Sequence, residues 1–483
     1  MHISLLLISL AVSQLVASQE TVLGVYIFSR HGDRTAKSTP PANLTDLGYQ
    51  EVFTSGTYFR NRYVAAGASR RVYGVNSDLV KQSQIAASAP SDSVLQNSAQ
   101  GFLQGLYPPV GEQLGSNVLR NGTRIQSPLN GYQLIPLQAV QTGPNSENSA
   151  WLQGSTNCAN AMISSNNYFI SAEFQETSNR TQSLYQRIYP DVAKTFTQEQ
   201  TSFKNAYVVW DLLNVASIHN ASVPLPGDAD FFQLKTLADQ HEFGLAYNAS
   251  EPIRAVTGSI LAAEVVSALN TTIAGRGKTK INIQFGAYAG MLSFFGLSNL
   301  TSVNPDFFGI PDYASSLTWE LVTNSTVTSS SWPSADDIYV RFLFHNGTTS
   351  NTSEPVEYPL FGINRSPLPW NDFVNGMDKF AISGQAAWCK ACGNSTGVCS
   401  AAALDVDGAD SAPSGGSTSS DSNGNGISKV VCGVIGAMVT LGVILGAELL
   451  IILGGGLRLV SKKRLHHPAA NGVGDGSFGK PGA

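Results

Sequence analysis

Arg30-His31-Gly32-Asp33-Arg34-Thr35 sets one imidazole between two guanidiniums. A neutral imidazole can attack phosphorus, and flanking guanidiniums grip phosphoryl oxygens through paired, charge-assisted hydrogen bonds. Gly32 lets the backbone close in on an anion. The competing reading is a solvated loop with a lone histidine. Position weighs against it, because residues 21–29 (TVLGVYIFS) are a near-continuous β-branched and aromatic run, as in a strand buried on both faces. The loop follows at once, and ligands of open α/β sheets bind just past the carboxyl ends of strands.

Other elements must frame that loop. Residues 280–285 and 338–344 are further strand candidates, the second ended by the Asn346-Gly347 turn signal. Across 253–269, Ile253, Val256, Ile260, Leu261, Val265 and Ala268 recur at steps of three and four, one apolar helical stripe. From about 110 to 250, helix-like stretches at 183–196 and 198–213 outnumber convincing strands and predict a helical insertion. The expected fold is α/β, a central, mostly parallel sheet flanked by helices.

At the histidine loop the chain resembles the histidine acid phosphatases, the branch that includes fungal phytases and secreted acid phosphatases. Their signature Arg-His-Gly-x-Arg is followed by a Leu-Thr-x-Leu-Gly segment, here Leu44-Thr45-Asp46-Leu47-Gly48. Residues 98–108 (SAQGFLQGLYP) and 245–248 (LAYN) extend the likeness, which covers 22 to about 399. The resemblance implies a phosphoglycerate mutase-like fold, His31 as the nucleophile of a phosphohistidine mechanism, and Arg30 and Arg34 as phosphate ligands. It implies no metal or cofactor. Fold membership is not activity.

Three of the family's pocket residues are missing. Where it has a third arginine, 85–90 (IAASAP) offers only Ser88. Where it has a distal His-Asp pair, whose aspartate protonates the leaving oxygen, Ala287 and Tyr288 stand. Tyr288 takes the proton-donor position, although a phenol with a reference pKa of about 10 is a weak acid for the task. Glu264, Asp306 and Asp312 are other acids near in sequence. His219 and His345, each beside a glycosylation acceptor, read as solvated, and His241 lies in a polar stretch of the insertion. A positioned general acid contributes about 10²- to 10⁴-fold, so its loss slows turnover without forbidding it.

The flanks set the compartment. Residues 1–18 carry an apolar run ending Val16-Ala17-Ser18, a signal peptide pattern, and the ectodomain is read as 19–404. A Ser/Gly-rich stalk (405–429) leads to an apolar run (430–457) long enough to span a bilayer and interrupted only by Glu448. Arg458, Lys462, Lys463 and Arg464 then put the tail, 458–483, in the cytosol. The chain thus reads as a single-pass type I protein of the cell membrane, its ectodomain extracellular. Acceptor sequons at Asn43, Asn121, Asn179, Asn220, Asn248, Asn270, Asn299, Asn324, Asn346, Asn351, Asn364 and Asn394 all lie before the apolar run and predict N-glycans. Cys158, Cys389, Cys392 and Cys399 predict disulfides of open connectivity, with zinc at Cys389-x-x-Cys392 as the rival. The formal charge of −5, with no basic run outside the tail, argues against a nucleic-acid partner.

Three readings remain on sequence alone. The leading one is a cell-surface phosphomonoesterase acting on a small phosphorylated substrate. The others are a catalytically impaired relative that binds an anionic ligand and a structural surface glycoprotein.

Overall fold

The computed structural model describes residues 20–140 and 157–400, so the expected signal segment, stalk, transmembrane helix and tail lie outside the described residues. In chain order the strands are β1 (Thr21–Arg30), β2 (Ile85–Pro90), β3 (Ser116–Val118), β4 (Arg124–Gln126), β5 (Leu137–Val140), β6 (Ile281–Gly286), β7 (Ser316–Thr323), β8 (Ile338–His345), β9 (Val356–Glu357) and β10 (Leu368–Pro369). The helices are α1 (Asp46–Phe59), α2 (Ser93–Leu106), the single turns α3 (Gly111–Leu114) and α4 (Pro128–Gly131), then α5 (Ala159–Asn167), α6 (Ala172–Val192), α7 (Ala206–His219), α8 (Asp228–Ala246), α9 (Val256–Ala274), α10 (Tyr288–Leu297), α11 (Trp370–Met377) and α12 (Gly384–Cys392).

One sheet orders its strands β10-β8-β7-β1-β6-β2-β5, with β9 beside β8. β1, β6, β2 and β5 run parallel, whereas β7, β8, β9 and β10 pair antiparallel. The sheet is therefore mixed, not mostly parallel. The reason lies in the connections: parallel neighbours need a crossover, and helices fill the chain between β1, β2 and β6, but no α-helix separates β7 from β8.

β1 is the central strand and feeds a core on each face. Val22, Val25 and Ile27 pack with α1 and α2, while Leu23, Tyr26 and Phe28 pack with the layer holding α9, α10 and the later helices. Pro252–Ala274, the one described helix long and apolar enough to cross a membrane, is mostly buried and lies against β1 as a core helix. The stretch read as helical from about 110 begins instead with the β3–β4 hairpin and with β5, which joins the main sheet, so the helical run starts at α5.

The parallel pairing of β1 with β6 puts Arg30 opposite Gly286, so the residues after β6 open beside the histidine loop. Cys158–Cys392 and Cys389–Cys399 are the two disulfides. They take both sulfurs of the Cys389-x-x-Cys392 motif, which answers the zinc alternative.

Candidate active site

The histidine loop is built into the fold by backbone contact. Gly32 and Gly48 cross so closely that a Cβ on Gly32 would meet the Gly48 carbonyl oxygen at 2.2 Å, and one on Gly48 would meet the Asp33 carbonyl oxygen at 2.1 Å. Thr45 caps α1 by accepting from the Gly48 N–H at 3.0 Å, and its hydroxyl donates to Asp33 Oδ2 at 2.5 Å. This is the physical content of the Leu44–Gly48 segment: it starts the helix and clamps the loop. The Gly32 N–H donates to Ser98 Oγ of α2 at 3.2 Å.

His31 is fully buried, its ring 5.5 Å from that of Tyr313. Nδ1 lies 2.8 Å from the Gly32 carbonyl oxygen. A carbonyl only accepts, so the neutral ring carries its proton on Nδ1 and keeps a lone pair on Nε2, the tautomer a nucleophile needs. Arg30 is nearly buried, its Cζ 5.0 Å from the Tyr288 ring centre and 4.7 Å from that of Tyr313. One terminal nitrogen donates to the Pro311 carbonyl, while Nε, also buried, has no hydrogen-bond partner among the described residues.

Arg34 is engaged differently. Nη1 donates to Asp211 Oδ2 at 3.3 Å and to the Thr35 carbonyl at 2.9 Å, and Nη2 donates to Asp211 Oδ1 at 3.1 Å and to the Tyr207 hydroxyl at 3.0 Å. The four terminal N–H groups of a guanidinium thus meet four acceptors. The Arg34 fork faces a carboxylate of the protein itself, and both partners are fully buried. α7 grips the loop a second time at its end, where His219 Nε2 lies 2.6 Å from Asp33 Oδ2. His219 is exposed, as its sequence context predicts, yet its ring is held by Asp33.

Tyr288 opens α10 and is buried beside Arg30. Its hydroxyl donates to Glu242 Oε2 at 2.7 Å, and burial next to that carboxylate pushes the phenol well above its ordinary range. Glu242, on α8, is partly buried, yet hydrogen bonds from His241 and Tyr288 and the charge of Lys37 hold it below the usual carboxylate range. The expectation of Tyr288 as proton donor meets a physical obstacle, since its proton is committed to Glu242 and bound too tightly to give up. Glu51 of α1 behaves the opposite way. It accepts from the Asp33 N–H at 2.8 Å, and burial, reinforced by the Asp33 charge, pushes it up to about 7.

The histidine phosphatase superfamily (branch 2) matches residues 38–345, well over half of the chain. The chain belongs to that superfamily. Among solved structures, the phytase from Citrobacter braakii is similar at 13% identity and a TM-score of 0.53, covering 77% of this chain and 99% of the phytase. The Hafnia alvei phytase is similar at 12% identity and a TM-score of 0.49, covering 76% and 98%. No curated protein matches the chain.

In this superfamily member the positions expected to hold the distal His-Asp pair do lie at the end of β6, with Ala287 capping and Tyr288 starting α10. Ser88, at the position of the third arginine, sits within β2, in register with Gln284 of β6. Of the other acids, Glu264 faces the core beside Tyr26, Asp306 is exposed in the 305–308 turn, and Asp312 lies beside Pro311, close enough for its charge to act on Glu51. His345 is buried, its two ring nitrogens 2.9 and 2.7 Å from the Asn346 and Ser353 carbonyl oxygens, where a solvated turn was expected.

Sequence reasoning missed Asp211, Glu242, Glu51, Lys37 and the His219 contact. A signal existed for one: Asp211 is the lone charge in the apolar run AYVVWDLLNV, and a charge in such a run must find a partner. A cleft of about 1190 Å³ lies beside the loop, and Pro311, whose carbonyl receives Arg30, is among its lining residues. His31, Arg30 and Arg34 lie together at the loop instead.

Proposed function

We propose that this histidine phosphatase hydrolyses phosphomonoesters through His31. Nε2 attacks phosphorus, a P–N bond forms as the P–O ester bond breaks, and the leaving oxygen takes a proton. Water then cleaves the P–N bond, releasing phosphate and restoring the ring. Arg30, with its unpartnered Nε, receives the phosphoryl oxygens, and Arg34 adds positive charge from its place on Asp211. The observation that carries the reading is the Nδ1 contact with the Gly32 carbonyl, which leaves the lone pair on Nε2. Glu51 is the carboxyl near Arg30 that still holds a proton in mildly acidic solution, whereas the Tyr288 proton is committed to Glu242.

The phytases named above resemble the chain in fold, and a small phosphorylated substrate is the corresponding reading for this protein. We place its work at the cell surface, as a single-pass type I protein. The signal segment, the apolar run with its basic flank and two disulfides support this. None of the twelve sequon asparagines is buried, as N-glycans require.

Hydrolysis of an aryl phosphate by the purified full chain, compared with His31→Ala, tests the reading. Activity confined to the parent supports it, and equal rates remove His31 from the mechanism. A second reading, anion binding without turnover, is favoured by Asp211 occupying the Arg34 fork. Phosphate binding without hydrolysis would select it.

A further inference from the structure

We infer that the site accepts a ligand carrying a single phosphoryl group and rejects polyphosphorylated ones, because its cations are already matched by the protein's own carboxylates. This rests on the reading of His31 as a phosphoryl site and narrows its substrate class.

A ligand with many phosphates needs many cations, and the loop has three in reach: Arg30, Arg34 and Lys37. Around them stand four carboxylates, and Glu51 becomes a fifth only as the pH rises through about 7. Asp33 belongs to the loop, Asp211 closes on Arg34, and Glu51 acts on Arg30 while holding the Asp33 N–H. Glu242 lies within the field of Lys37, and Asp312 follows the Pro311 that receives Arg30. Arg34 has its four terminal N–H groups committed. What remains for an anion among the described residues is the buried, unpartnered Arg30 Nε, enough for one phosphoryl group.

Further phosphates on the same ligand would have to reach the adjoining cleft, and it offers them no purchase. Its carboxylates are Glu173, Asp239, Glu251, Asp306 and Glu354, against Lys235 and Arg254. Lys235 is paired with Asp239 at 2.7 Å. Arg254 turns inward to the Gly244 carbonyl at 2.8 Å and Ser164 Oγ at 3.1 Å. Like charges brought together at a binding surface cost several kcal/mol, so the surroundings act as a filter on ligand charge.

The test compares p-nitrophenyl phosphate with inositol hexakisphosphate on the full chain, at one pH and ionic strength, with calorimetric titration of orthophosphate and of the hexakisphosphate alongside. The expected kcat/KM for the hexakisphosphate is about tenfold or more below that of the aryl ester, the smallest penalty that like-charge repulsion implies. Equal or better use of the hexakisphosphate overturns the inference. If neither ester turns over, the hydrolase reading falls while titration still decides this one: orthophosphate bound and hexakisphosphate not bound supports it, and any other pattern overturns it. A second variant keeps the charge argument exposed to failure. Glu173→Lys combined with Glu354→Lys changes two exposed cleft residues, and it should raise hexakisphosphate binding by about fivefold or more with orthophosphate binding unchanged. No gain would show that something other than charge selects the ligand.

Discussion

Asp211→Asn preserves the shape of the α7 clasp and removes its charge. In the parent the carboxylate meets Arg34 at 3.1 and 3.3 Å with both side chains fully buried. Removing one partner of such a pair costs about 3–5 kcal/mol because the other charge is left buried and uncompensated. Asparagine keeps the volume and one acceptor, and Tyr207 and the Thr35 carbonyl stay in place, so the expected loss is at the low end, about 3 kcal/mol. The same change returns N–H donors to the fork. Hydrogen bonds to charged groups contribute about 1.5–3 kcal/mol each, so phosphate should bind roughly tenfold tighter than to the parent. Phosphate at a hundred times its Kd restores about 2.7 kcal/mol, nearly offsetting the loss. Urea unfolding of parent and variant, with and without phosphate, reads both effects. Weaker phosphate binding in the variant would refute the reasoning, since Asp211 would then be positioning Arg34 for the anion instead of competing with it.

Other outcomes follow from the same contacts. Glu51 is pushed up from 4.5 to about 7 on folding, so the folded state holds the proton more tightly, and its contribution to stability, full below pH 4.5, is lost as pH rises through 7. Glu51→Gln should flatten that part of the stability profile, and an unchanged slope would contradict the assignment. Tyr288→Phe should leave aryl phosphate hydrolysis within a few-fold while costing about 1–3 kcal/mol through the hydrogen bond lost by Glu242. Loss of turnover on the scale of a general acid would restore Tyr288 to that role. Cys158→Ser opens a bridge of sequence separation 234 and Cys399→Ser one of separation 10, so chain entropy makes the first more costly by roughly 2–3 kcal/mol, measurable by chemical denaturation. Equal losses would show that strain or residual structure dominates.

The sequence made the histidine loop legible because its chemistry is consecutive and its supporting strand is a single apolar run. β8 and α9 were legible for a similar reason, since most of each is apolar and marked by its own residue pattern. β7 was hidden by Glu320, a charge in the middle of a fully buried strand. Arg62, Arg70 and Arg341 neutralise it at 2.9, 3.0 and 3.0 Å, a compensation invisible to any local window. With β7 unseen, the antiparallel pairing of β8 was unseen too. The site divides in the same way. Arg30, His31 and Arg34 declare themselves, but whether an arginine faces a ligand depends on Asp211, 177 positions away. The position of Tyr288 could be read from the family's pattern, whereas Glu242, which takes its proton, belongs to another helix.

Rapid acid quench of the full chain during turnover of an aryl phosphate, followed by peptide mass spectrometry, tests the central claim most directly. A single phosphoryl group on the peptide containing His31, absent when the ester is omitted, is the predicted result. Steady hydrolysis with that histidine unmodified and the phosphoryl group on another residue would contradict the account.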